Sequence, residues 1–223
     1  MDSNYPTFSP DSSKIAFASA SPYLVPNDTN VSRDVFVKDL GTWKTTRVST
    51  SSSGTQASGQ SQRPAWSPDG GRIAFESAAN TLVTGDTNVS EDIFVKNLSS
   101  GQVSLVLTNA AGQPALFGHY APSWSPDGTR LAWYSKAVDL VPVPNDTNTR
   151  PDVFVKNLST GFVQLVSSTS SGLQGDNWSS VFTVSPGVWS KDGTRVLFTS
   201  SSQNLSPTDG NAFAEDLFAK TVA

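Results

Sequence analysis

The sequence predicts an all-β chain of four repeated, four-stranded sheets, and three observations predict it. First, the stretch Pro64–Leu98, PAWSPDGGRIAFESAANTLVTGDTNVSEDIFVKNL, has three close copies elsewhere in the chain, and internal repeats fix an architecture before anything else does. Second, its turn aspartate recurs at Asp11, Asp69, Asp127 and Asp192, spaced by 58, 58 and 65 residues. Third, the two middle strands of each copy are apolar on both faces, so each sheet needs cover on both sides. Repeated four-stranded units with both faces covered describe blades around an axis, a β-propeller.

Each element of the unit follows from its residues. Ser67-Pro68-Asp69-Gly70 is a β-turn: Pro presets φ at the second position, Asp tolerates the third and Gly closes. Arg72-Ile73-Ala74-Phe75 is a short strand, matched by Ile15-Ala16-Phe17, Leu131-Ala132-Trp133 and Val196-Leu197-Phe198. A polar loop, Gly85-Asp86-Thr87-Asn88, leads to a third strand that opens at Asp92, as others do at Asp34, Asp152 and Asp216. Asn97–Gly101 turns the chain, and Gln102–Val106 alternates polar and apolar as a half-exposed strand does. The short stretch into Trp66 is the first, innermost strand.

Taken along the chain, the blades of this single domain cover approximately residues 1–50, 60–107, 120–167 and 185–223. Thr50–Gln62 is a polar linker between blades one and two, whereas the next crossing, Leu107–Ala121, carries Phe117, His119 and Tyr120. The third crossing is longer; its extra residues are expected around Gly175-Asp176-Asn177-Trp178, with Trp178 either a lid or a plug. Blade four is imperfect. Its turn lacks Pro, and Asp216–Ala219 is followed only by Lys220–Ala223, with no spare strand before Tyr5, so the expectation is four blades with the last short of its outer strand, or a piece of a longer ring. An unpaired edge is a template for association. The expected partner is a second copy, forming a homodimer with an eight-bladed ring; a closed four-bladed monomer is the other outcome.

WSPDG followed by IAF and then DIFVKNL resembles the TolB-type, WD-like propeller repeat (PD-repeat). The matching segments are Phe8–Phe17, Trp66–Phe75, Trp124–Trp133 and Trp189–Phe198, so the resemblance covers almost the whole chain. It implies the propeller fold. It implies less about activity, because propellers of this kind serve as periplasmic binding modules, gating domains of peptidases and scaffolds of some pectate-fragment lyases.

Composition narrows the classes. With 223 residues the chain can bury a sizeable core. The net charge of −4 and 15% charged residues, with no basic patch, argue against nucleic acid. No Cys is present, which excludes disulfides and thiolate metal sites. No run approaches the roughly 20 apolar residues of a membrane span, so membrane insertion is not expected. The opening MDSNYPTFSPD is not a signal peptide. A Ser/Thr/Asn-rich, Lys-poor surface and the family resemblance lean to an extracytoplasmic location.

Two groups of residues carry candidate chemistry. The pattern D-T-N-x-x-x-D places oxygen ligands at Asp28, Asn30 and Asp34, at Asp86, Asn88 and Asp92, and at Asp146, Asn148 and Asp152. Blade four reads Asp209-Gly210-Asn211 with Glu215 and Asp216. Such oxygens suit a hard cation, Ca²⁺ first, but Asp and Asn also fold loops as Asx-turns without metal. The second group lies where the first strands begin, at Ser3-Asn4-Tyr5, Ser61-Gln62-Arg63, His119-Tyr120-Ala121 and Val184-Ser185-Pro186. Here the copies diverge, which suggests a binding mouth built of Asn4, Gln62, Arg63, His119, Tyr120 and Trp178. The leading expectation is therefore a non-catalytic module recognising a protein or glycan there. The competing one is a hydrolase or lyase acting on a glycan or ester, with His119 as acid or base and Arg63 holding an anionic substrate. His119 is the only histidine, and a surface His without a partner is the plain alternative. A structural propeller fragment with no retained site is the third reading. No G-x-S-x-G is present, and Glu76, Glu91 and Glu215 do not form an evident glycosidase pair.

Overall fold

The computed structural model describes residues 2–88, 90–108, 113–141, 146–181, 188–206 and 214–222. They form two compact units, Met1–Leu107 and Thr108–Ala223, each holding two antiparallel sheets. In the first unit, blade one is β1 (Ser3–Phe8), β2 (Lys14–Ser19), β3 (Asp34–Asp39) and β4 (Thr45–Arg47). Blade two is β5 (Ser61–Trp66), β6 (Arg72–Ser77), β7 (Asp92–Asn97) and β8 (Val103–Leu105). In the second unit, blade three is β9 (His119–Trp124), β10 (Arg130–Ser135), β11 (Asp152–Asn157) and β12 (Val163–Leu165). Blade four is β13 (Ser179–Ser180), β14 (Arg195–Ser200) and β15 (Asp216–Thr221), with no fourth strand among the described residues. No described helix is long and apolar enough to cross a membrane.

The S-x-D-G turns form as the residues dictate. Ser67 Oγ donates to Asp69 Oδ1 at 2.5 Å and the Gly70 amide to the Ser67 carbonyl at 2.9 Å. The same serine–aspartate bond recurs at Ser9–Asp11, Ser125–Asp127 and Ser190–Asp192. Each blade stacks one aromatic pair across its two middle strands: Phe17–Phe36, Phe75–Phe94, Trp133–Phe154 and Phe198–Phe218, with ring centroids 5.5–5.9 Å apart. These pairs face each other because they are direct antiparallel partners.

Within each unit the second blade is seated on the first. The Trp66 indole N–H donates to the Thr7 carbonyl at 3.2 Å, and Trp189 to the Ser123 carbonyl at 3.1 Å. Lys96 Nζ donates to the Thr50 and Ser51 carbonyls at 2.8 and 2.9 Å; Lys220 does the same to Ser168 and Thr169. Between the blades of the first unit lies an apolar core that includes Val35, Val37, Trp66, Ile73, Phe75 and Phe94. Its counterpart in the second unit includes Val153, Val166, Val188, Trp189, Val196 and Phe198.

Blade four corrects one expectation. Its first strand pairs Ser179 with Ser200 and Ser180 with Thr199, as Ser61 pairs with Ser77 in blade two. Trp66 lies five positions after Ser61, whereas Trp189 lies ten positions after Ser179. The added length thus follows Ser180, and Trp178 does not lie in an insert. Val184-Ser185-Pro186 and Asp209-Gly210-Asn211 lie outside the described residues.

Candidate functional site

The first strands are irregular at one place. In blades one to three the first strand has a register shift at an X-Pro step, and the residue before the proline takes a left-handed φ: Tyr5 at 55°, Arg63 at 48° and Ala121 at 58°. A non-glycine residue in this region is strained, and proline disfavours helical backbone before it. The bulge redirects the side chain that would otherwise follow the strand's alternation.

In the first unit this brings a polar cluster together. Arg63 Nη1 lies 3.2 and 3.1 Å from the two oxygens of Glu76, which is fully buried on the neighbouring strand β6. The guanidinium also sits over the Tyr5 ring, 5.3 Å from its centroid. Gln62 Nε2 donates to Glu76 at 3.3 Å, and Gln62 Oε1 accepts from Arg33 Nη1 at 3.1 Å. Arg33 Nε is buried without a hydrogen-bond partner. The Arg63 guanidinium thus meets the Glu76 carboxylate, and Gln62 links that carboxylate to Arg33, next to a tyrosine that is 38% exposed. Arg63 and Gln62 were legible in the sequence as divergent positions. Tyr5 was placed at the same strand entrance but not among the binding residues, and Arg33 and Glu76 were missed, although Glu76 is the one charged residue in the middle of a second strand. Asn4 sits in β1 opposite Ala18, half-buried.

The other candidates belong to the second unit and differ among themselves. His119 is not a surface group. It is fully buried in β9 opposite Ser135, bonds the Ala115 backbone, and desolvation pushes its pKa down to about 4. The signal for this was present: the same register position is a buried serine at Ser61 and Ser179. The Tyr120 ring packs against Tyr134 at 5.3 Å. Trp178 is 56% exposed, with its carbonyl accepting from the Ser201 amide.

The Asp/Asn loops build a different arrangement at the start of the third strands. Asn30 and Asn148 are Asx-type hinges: each side-chain oxygen accepts an amide two residues on, from Ser32 and Arg150 at 2.9 and 2.7 Å. In blade one, Gln56 Nε2 donates to both Asp28 and Asp34 at 2.8 and 2.7 Å, while Arg47 lies 3.2 and 3.4 Å from the same pair. In blade three, Gln174 Nε2 bridges Asp146 and Asp152 at 2.8 and 2.6 Å. Burial pushes Asp34, Asp146 and Asp152 up; Asp152 reaches about 7 despite the opposing Ser167 and Gln174 donors. In blade two, burial and then repulsion from Asp86 push Asp92 up to about 7. No group of three or more His, Asp or Glu able to hold a metal is present among the described residues.

No family model matches the chain. A curated relative, dipeptidyl-peptidase 5 of Porphyromonas gingivalis, is 31% identical over 96 residues, which are 43% of this chain and 13% of that protein. Among solved structures, a putative TolB from Agrobacterium tumefaciens aligns with all of this chain and 60% of its own, at 17% identity and a TM-score of 0.54. An oligogalacturonate lyase from Vibrio parahaemolyticus aligns with 99% of this chain and 49% of its own, at 16% identity and a TM-score of 0.56. The chain therefore spans less than two thirds of the length of each. These likenesses agree with the repeat, the four sheets and the blade-on-blade seating: the fold is the β-propeller of TolB-type and related proteins.

Proposed function

We propose that this chain is a non-catalytic binding propeller, working outside the cytoplasm, that recognises an acidic segment of a protein or glycan at the Tyr5–Arg33–Gln62–Arg63 cluster. The observation that carries this reading is Arg63, held in a strained bulge between a buried carboxylate and an exposed aromatic ring. Strain of this kind persists where the surroundings over-determine it, and it gathers at ligand clamps. Arg33 Nε supplies a buried donor still lacking an acceptor, and guanidinium is suited to bidentate carboxylate recognition. The lyase and peptidase likenesses leave catalysis as the rival. That rival needs His119 as acid or base within reach of a substrate, and His119 is fully buried in β9.

The test is calorimetric titration with acidic probes, an oligogalacturonate and an Asp/Glu-rich peptide, against uncharged oligosaccharides. Acidic probes should bind, with affinity falling at least tenfold in Arg63→Lys and Tyr5→Leu and weakening with salt. Binding indifferent to both substitutions, or turnover abolished by His119→Asn, would sink the proposal.

A further inference from the structure

The repeat supplies its own comparison at the start of the third strand. Blade one places an Arg47 guanidinium and a Gln56 amide between Asp28 and Asp34, and Ser49 Oγ donates to Asp34 at 2.5 Å. Blade three keeps the glutamine and the serine as Gln174 and Ser167. Blade two keeps the carboxylate pair, Asp86 and Asp92, and changes every one of those donors. Leu105 takes the register of Arg47, each lying opposite a third-strand phenylalanine. Leu107 stands where Ser49 and Ser167 stand, and Pro114 occupies the repeat position of Gln56 and Gln174.

Asp86 is 8% exposed and its Oδ1 has no hydrogen-bond partner. Asp92 is fully buried and close enough for the two charges to repel. In blade three, by contrast, Asp146 Oδ2 also lacks a partner, but the Gln174 amide already closes the space between its carboxylates. The blade-two pair thus retains two buried acidic groups and loses the cation that the homologous pair in blade one receives from its own chain.

We propose that Asp86 and Asp92 of blade two bind one hard divalent cation, which takes the place that the Arg47 guanidinium holds between Asp28 and Asp34. Two carboxylates match its charge, and backbone oxygens and water fill the remainder of a six- to eight-oxygen shell. Asn88 has a positioning role, since its side-chain oxygen already accepts the Ser90 amide at 2.8 Å.

Equilibrium dialysis and thermal melting of the 223-residue chain test this, with Ca²⁺ as the probe and Mg²⁺ and Mn²⁺ as competitors. One ion should bind per chain and raise the melting temperature, and a chelator should reverse both. Asp86→Asn, nearly isosteric and checked by circular dichroism, should lose the ion, while Asp28→Asn keeps it. Leu105→Arg should raise the melting temperature in chelator and abolish the response to Ca²⁺, because it installs the blade-one cation. Failure of the wild-type chain to bind an ion at millimolar concentration, a stoichiometry of three, or binding retained in Asp86→Asn would each overturn the proposal.

Discussion

Ser12 does in blade one what glycine does in the other three. Its φ is 58°, against 68°, 69° and 70° at Gly70, Gly128 and Gly193 in the same position of the turn. A side chain there costs roughly 1–2 kcal/mol, partly offset by the extra freedom glycine has when unfolded. Ser12→Gly should therefore stabilise the first unit by about 0.5–1 kcal/mol in urea denaturation, and Gly70→Ala should destabilise it by a similar amount or more. The turn residues were legible because each position has its own backbone demand. The site was legible only in part. Gln62 and Arg63 diverged visibly between copies, whereas His119 looked like a surface group because one polar residue in a strand does not announce which face it is on. Nor does an X-Pro step announce a left-handed residue, since proline's local preference points the other way.

At the scale of elements, the strands and their order could be read from the repeat, its turn residues and its apolar runs, while the buried polar joints could not. They depend on residues far apart in the chain, such as Gln174 reaching Asp146 and Asp152. Lys96 is another: 6% exposed, it holds the carbonyls of the linker between blades one and two. Lys96→Met leaves those acceptors without it and should cost about 2 kcal/mol in the same denaturation experiment. Asp152 predicts a pH dependence. Its folded pKa, raised to about 7 by burial, lies above the unfolded value near 4. Its favourable contribution is complete below about pH 4 and is lost as pH rises through 7, because the unfolded chain releases the proton first. Melting temperature followed from pH 4 to 8 in chelator should fall less steeply in Asp152→Asn than in wild type. Equal slopes would place the proton elsewhere.

At the scale of the whole molecule, two large apolar side chains inside the described strands are more than half exposed. Phe8, in the register of Trp66, is 61% exposed where Trp66 is 9%, and Leu217 on the outer strand β15 is 65% exposed. No described strand pairs with the free side of β15. An exposed apolar edge invites a partner, and we propose a second copy of this chain. Light scattering should find dimers that Leu217→Asp disperses; a monomer of about 24 kDa at high concentration would refute association. The indole contacts have a consequence of another kind. Trp66 and Trp189 each rest on the carbonyl of the blade before, so each is an intrinsic fluorophore mounted across a joint. Pulling one blade from its neighbour, by force or by denaturant, would shift that emission to the red before the sheets themselves came apart, and the chain would report its own first fracture without a label.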